Sequence, residues 1–139
     1  MRARSLALAC CLLIPAPGSA DVFGFSTPSR NIECSVGLGE NSADIRCTIH
    51  EKNGPDPRPR PADCLAPWGH HFWLDERGPV RMQCGGPGYK NTARHIDIAD
   101  YGVTGRFGGI TCLSDRTGFQ CSNADGHGFF LSRNTRYIQ

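Results

Sequence analysis

Helical signal is nearly missing from this sequence. Its seventeen glycines and ten prolines are scattered along the chain, and no window of eleven residues sustains the i, i+3, i+4, i+7 apolar spacing of an amphipathic helix. Long apolar runs are missing as well. The run Ser5–Ile14 is far shorter than the roughly 20 residues needed to cross a bilayer. No cysteines stand in C-x-x-C spacing, no H-E-x-x-H or EF-hand loop occurs, and no G-x-S-x-G elbow presents a serine. There is no phosphate loop and no dinucleotide fingerprint, so no cofactor is implied.

What is present begins with a leader. Arg2 and Arg4 precede the apolar run, Pro15-Ala16-Pro17 ends it, and Gly18-Ser19-Ala20 places small residues at a cleavage point. This reads as a bacterial-type secretory signal over residues 1–20, leaving a mature domain of residues 21–139 in the periplasm or the medium. Cleavage is preferred to lipidation at Cys10 or Cys11, because Cys10 leaves very little apolar run before it, and no membrane anchor is expected. Losing Arg2 and Arg4 leaves thirteen Lys and Arg against thirteen Asp and Glu. With no basic surplus, neither nucleic acid nor an anionic membrane is expected as a partner.

Six cysteines remain after the leader: Cys34, Cys47, Cys64, Cys84, Cys112 and Cys121. An even set in an exported domain reads as disulfides. Facing residues of an antiparallel hairpin have a constant number sum. Cys34 and Cys47 centre on the turn Gly39-Glu40-Asn41-Ser42, and Cys112 and Cys121 on Asp115-Arg116-Thr117-Gly118. Cys64 and Cys84 are then left to pair. Each bridge contributes on the order of 3 kcal/mol in the chain-entropy model.

Alternating or β-branched runs predict strands over Asn31–Val36, Ile45–His50, His71–Leu74, Val80–Cys84, His95–Ile98, Gly109–Leu113, Gly118–Ser122 and Gly128–Ser132. The expected fold is all-β, a small single-domain antiparallel sandwich or partly open barrel stapled by three disulfides. Ile32-Glu33-Cys34 matches Ile110-Thr111-Cys112, and Ile45-Arg46-Cys47 resembles Phe119-Gln120-Cys121. The two hairpins therefore look like distant copies, expected side by side in one sheet. Between residues 52 and 63, alternate prolines forbid helix and predict an extended, stiff crossing between two halves of the fold.

Two longer motifs carry a resemblance. Phe25-Ser26-Thr27-Pro28-Ser29-Arg30-Asn31-Ile32-Glu33-Cys34 resembles an F-x-[ST]-P-S-G-N-I-x-C opening. Tyr101-Gly102, Gly118-Phe119-Gln120-Cys121, Gly126-His127-Gly128-Phe129 and Ser132-Arg133 resemble a Y-G … C … G-x-x-C-x-N … G-H-G-F-x-x-S-R ending. Both are similar to a family of small exported bacterial proteins catalogued only as a domain of unknown function. Arg30 replaces the family's Gly, and Gly85-Gly86-Pro87-Gly88 stands in place of a G-D-T-like turn. The resemblance implies an exported, disulfide-bonded domain and no activity.

Chemistry is sparse. His127 with Asp125 and Ser132 has the residue types of a hydrolase triad. The preferred reading is a glycine-flanked turn in which a buried, hydrogen-bonded imidazole supports the core set Phe129 and Leu131. His70 and His71 point to opposite faces of one strand and cannot easily share a metal ion; His50 and His95 add no ligand spacing. Asp97 and Asp100 form no recognisable acid pair. Trp68 and Trp73 are expected as core and disulfide cover, with sugar stacking as the rival role. The candidate binding residues are Trp68, His70, Trp73, His127 and Arg133; no catalytic or metal residues are assigned. The expected function is an exported non-enzymatic envelope or secreted module that binds a macromolecule or glycan, or has a structural role. The alternatives are a small secreted hydrolase of cell-wall or extracellular polymer, or an inhibitor of a foreign lysozyme or protease acting through Gly85–Asn91 or Pro55–Pro61.

Overall fold

Period-two alternation organises residues 21–139, which the computed structural model describes; residues 1–20, where a leader is expected, lie outside the described residues together with Cys10 and Cys11. Ten strands result: β1 (Asp21–Ser26), β2 (Ile32–Gly39), β3 (Ser42–Ile49), β4 (His71–Asp75), β5 (Arg81–Gln83), β6 (Thr104–Phe107), β7 (Ile110–Asp115), β8 (Gly118–Ser122), β9 (Gly128–Leu131) and β10 (Arg136–Ile138). No helix occurs among the described residues. Strands β1 to β5 form one antiparallel meander and β6 to β10 a second, each strand pairing with its sequence neighbours. The two sheets pack face to face as an open sandwich.

The hairpin copies thus lie in different sheets, not side by side in one. Both bury the same kind of face, with Ile32, Val36, Ile45 and Ile49 from one and Ile110 and Phe119 from the other. Stacking the sheets face to face lets each cover the other's apolar side. Phe72 meets Phe129 across the sheets at 5.9 Å between ring centroids, and Phe25 meets Phe119 at 5.7 Å. Phe129 and Leu131 are both in this core, as the alternation predicts.

The likeness of the halves extends past the hairpins. Cys34 faces Cys47 on β2 and β3, and Cys112 faces Cys121 on β7 and β8, with Cα atoms 4.1 Å apart in each bond. In the next strand of each meander a phenylalanine stands opposite the second cysteine: Phe72 beside Cys47, Phe129 beside Cys121. The third bond joins Cys64 to Cys84, with Cα atoms 5.6 Å apart.

Three strands, β1, β6 and β10, lie where no strand is predicted, because each is an edge or short strand defined by its neighbour more than by its own sequence. Conversely, His95–Ile98 is not a strand; only Ile98 forms a bridge, to Ser26. The proline-rich segment does not cross between halves either. It joins β3 to β4 within one sheet, and the crossing between meanders is made by residues 84–103. Against the proline-rich segment, a strap over residues 52–63, sits Arg136 of β10, its side chain fully buried. The guanidinium donates to the carbonyls of Asn53, Gly54 and Pro55 on the strap and of Ser132 and Arg133 on its own turn, at 2.8–3.2 Å. A buried charge is tolerable when both Nη groups are hydrogen-bonded and a carboxylate stands near: Nε makes no hydrogen bond but lies 3.7 Å from Asp56 Oδ1.

Candidate functional site

The outer face of the first meander is polar, and its registers set side chains in rows. One row runs Gly24, Ser35, Arg46, Trp73, Arg81 across β1 to β5. The next runs Ser26, Glu33, Thr48, His71, Gln83. Over these rows passes the crossing segment, and between sheet and segment lies a cavity of about 610 Å³. Asn91, His95, Ile96 and Asp97 form its roof.

The roof is tied down along its length. His71 Nε2 lies 2.8 Å from the Gly86 carbonyl, which can only accept, so Nε2 carries the proton and Nδ1 takes the Thr48 hydroxyl hydrogen at 3.0 Å. Glu33 Oε1 accepts from the Asn91 amide at 2.7 Å, and Lys90 pairs with Glu51 at 2.9 Å. The hydrogen-bonded Lys90, followed by Arg133, holds the Glu51 carboxyl below the usual range. Arg30 Nη1 reaches the Ala93 carbonyl at 3.3 Å, and the Ser26 amide donates to the Asp97 carbonyl at 2.9 Å. Beneath the roof, buried His50 has Nε2 3.2 Å from Glu33 Oε2. That is ion-pair range, but the alignment does not make a hydrogen bond, and Nδ1 has no partner.

Trp73 is neither core nor disulfide cover. It stands on the outer face with the Arg46 guanidinium 3.6 Å from its ring centroid and the Arg81 guanidinium 4.0 Å away, while its Nε1 donates to Asp75 at 3.0 Å. With both faces occupied by guanidinium groups, the ring is not free to stack on a sugar. Arg46 is aimed further by Asp44, 3.3 Å from Nε.

Of the candidate binding residues, only Trp73 lines this cavity. Trp68 is half-buried, its Nε1 donating to Arg58 O of the strap at 2.9 Å. His70 donates through Nδ1 to Ile49 O at 2.7 Å, on the opposite face from His71. Arg133 pairs with Glu51 at 2.9 Å.

His127 and its neighbours belong to a clasp. Its amide donates to Asn123 Oδ1 at 3.0 Å and its carbonyl accepts from the Asn123 amide at 2.8 Å, but the imidazole has no hydrogen-bond partner among the described residues. Structural support comes from the His127 backbone, not its ring. Asn123 is the residue that does the bonding: its Nδ2 donates to Asp75 O and Gly78 O of the other sheet, and its Oδ1 accepts from Asp125 and His127 amides. The signal for it was the Asn of the ending motif. Asp125 is committed to the β4–β5 turn, and the Gly78 amide, then Arg77, holds its carboxyl below the usual range. Ser132 donates to Thr135 O at 2.9 Å. No triad forms from these three.

A family model covers residues 6–139. The chain belongs to DUF6636, a family of unknown function. No curated protein matches the chain, and no solved structure matches it. The structure gives the motif residues of this DUF6636 domain physical roles. Asn31 binds the Glu51 backbone at both ends of its amide, at 2.9 and 2.8 Å. Arg30, where the opening motif has Gly, sits at φ 56°, the left-handed region that glycine enters freely and L side chains do not. Among the described residues no group of three His, Cys, Asp or Glu gathers in metal-holding geometry.

Proposed function

We propose that this DUF6636 chain is an exported, non-enzymatic binding module of the periplasm or medium, and that the roofed cavity on the first meander holds its ligand. The observation that carries this reading is the cavity itself: about 610 Å³, within the range of roughly 300–1,000 Å³ typical of small-molecule sites. Three disulfides are consistent with an oxidising compartment. Binding is favoured over hydrolysis because the titratable groups on the cavity floor are engaged: both His71 nitrogens and Glu33 Oε1 are hydrogen-bonded, with Glu33 Oε2 facing His50. The roof's His95 and Asp97 side chains are free, but neither is oriented by a second residue among those described, as a catalytic base is. The polar lining favours a hydroxylated ligand such as a glycan unit. The test is a glycan array probed with the mature domain and with Ser35→Trp, which fills the cavity from the exposed face of β2. Retention by the unaltered domain alone supports the reading; equal retention, or none, overturns it.

A second reading has its own observation. Tyr89, 101% exposed, lies on Gly85–Asn91, one of the two loops expected for an inhibitor, and Leu65, 93% exposed, adjoins Cys64 of the Cys64–Cys84 bond in sequence. Inhibition of a lysozyme or protease that Tyr89→Ala abolishes would establish it.

A further inference from the structure

We infer that the cavity's ligand is an acidic sugar whose carboxylate is paired by Arg46; this rests on the cavity being the binding site. Arg46 is the one Lys or Arg among the residues lining it. Its guanidinium is fixed before any ligand arrives. Trp73 holds its plane from one side at 3.6 Å and Asp44 holds the Nε edge at 3.3 Å. The Nη groups have no acceptor among the described residues, and the side chain is 56% exposed. A planar fork with a free edge matches a carboxylate in bidentate geometry, and pre-orientation lowers the entropy lost on binding.

The space beside that fork is open because its row neighbours are small. Ser35 faces Arg46 directly, and Gly24 lies next to Ser35. A ring bearing the acid group fits over these two positions. Around it stand groups suited to hydroxyls: the Ser35 hydroxyl, the Gln83 amide and, on the roof, the exposed Asp97 carboxylate. None of these three side chains is spent on another protein group, unlike Glu33, Thr48 and His71 beside them. A carboxylate acceptor on the roof and neutral donors and acceptors on the floor serve vicinal hydroxyls, while Arg46 serves the acid. The ligand class is therefore a hexuronic-type sugar, not a neutral one and not a purely apolar molecule.

The experiment uses the mature disulfide-bonded domain, labelled with nitrogen-15, and two probes that differ only at the acid: methyl glucuronide and methyl glucoside. The glucuronide is expected to bind about ten- to a hundredfold more tightly, the range for one charge-assisted pair. Its shifts should fall on β2, β3, β4 and the roof. Arg46→Gln should erase the difference between the two probes while the domain still folds and melts within a few degrees of the unaltered one, and Ser35→Trp should abolish binding of both. Equal affinities, or a preference that survives Arg46→Gln, overturns the acidic-sugar inference; the cavity reading then stands if Ser35→Trp still blocks binding. No binding of either probe overturns the sugar class. Binding that Ser35→Trp leaves intact overturns the cavity reading itself.

Discussion

Replacing Arg136 should be the most damaging single change away from the disulfides and the apolar core. Its side chain is fully buried and donates five hydrogen bonds, three of them to consecutive carbonyls, Asn53, Gly54 and Pro55, of a proline-rich strap that has few donors of its own. Arg136→Met keeps much of the volume and removes every donor. The strap residues are exposed, so water can satisfy some of the released carbonyls, and Asp56 keeps its partner Lys52 at 2.8 Å. The loss should therefore lie near the lower end of the about 3–5 kcal/mol expected on breaking a buried ion pair. For a domain of this size that lowers Tm by roughly 8–15 °C. Arg136→Lys should recover little, since an ammonium cannot reach both the strap and the turn. Thermal unfolding followed by circular dichroism without reductant measures both, with Arg133→Ala as control. The Arg133–Glu51 pair is half-exposed, and its loss should cost under about 1 kcal/mol. If Arg136→Met melted within about 2 °C of the unaltered domain, the idea that one guanidinium pins the strap would be wrong.

Arg30→Gly should stabilise the domain by about 1 kcal/mol, because it removes a side chain from a left-handed backbone at φ 56° and loses only an exposed bond to Ala93. A lowered urea midpoint would contradict that. Asn123→Ala should cost about 2–3 kcal/mol by orphaning carbonyls and amides on both sheets, whereas His127→Ala should cost under about 1 kcal/mol; comparable losses would return the structural role to the imidazole. The lowered Asp125 carboxyl implies stability that is fully present above the ordinary value of 3.8 and lost as pH falls through the folded value. Asp125→Asn should accordingly flatten the acid limb of the stability profile below about pH 4, and an unchanged slope would show that another carboxylate dominates there.

The sequence alone determined what is local. Disulfide partners in the hairpins follow from cysteines equidistant from a turn, since antiparallel register is a matter of counting. Alternation likewise assigns Phe129 and Leu131 to the core, where both are buried. Arg30 was legible as an oddity because a motif glycine was missing, although only the backbone angle gave the reason. Tertiary structure decided everything that depends on residues far apart. Two apolar hairpin faces can lie side by side or face to face with identical local patterns, and the stacking of whole meanders selected the second. Trp73 reads as core from composition, yet its strand position turns it outward between Arg46 and Arg81, which come from neighbouring strands. Arg136 looks like any surface arginine until the strap, more than eighty residues earlier, wraps its carbonyls around it. The cavity exists only because residues 84–103, whose alternation at His95–Ile98 reads as a strand that no neighbour pairs beyond Ile98, cross between the meanders and are held over one polar face by Glu33, His71 and Glu51.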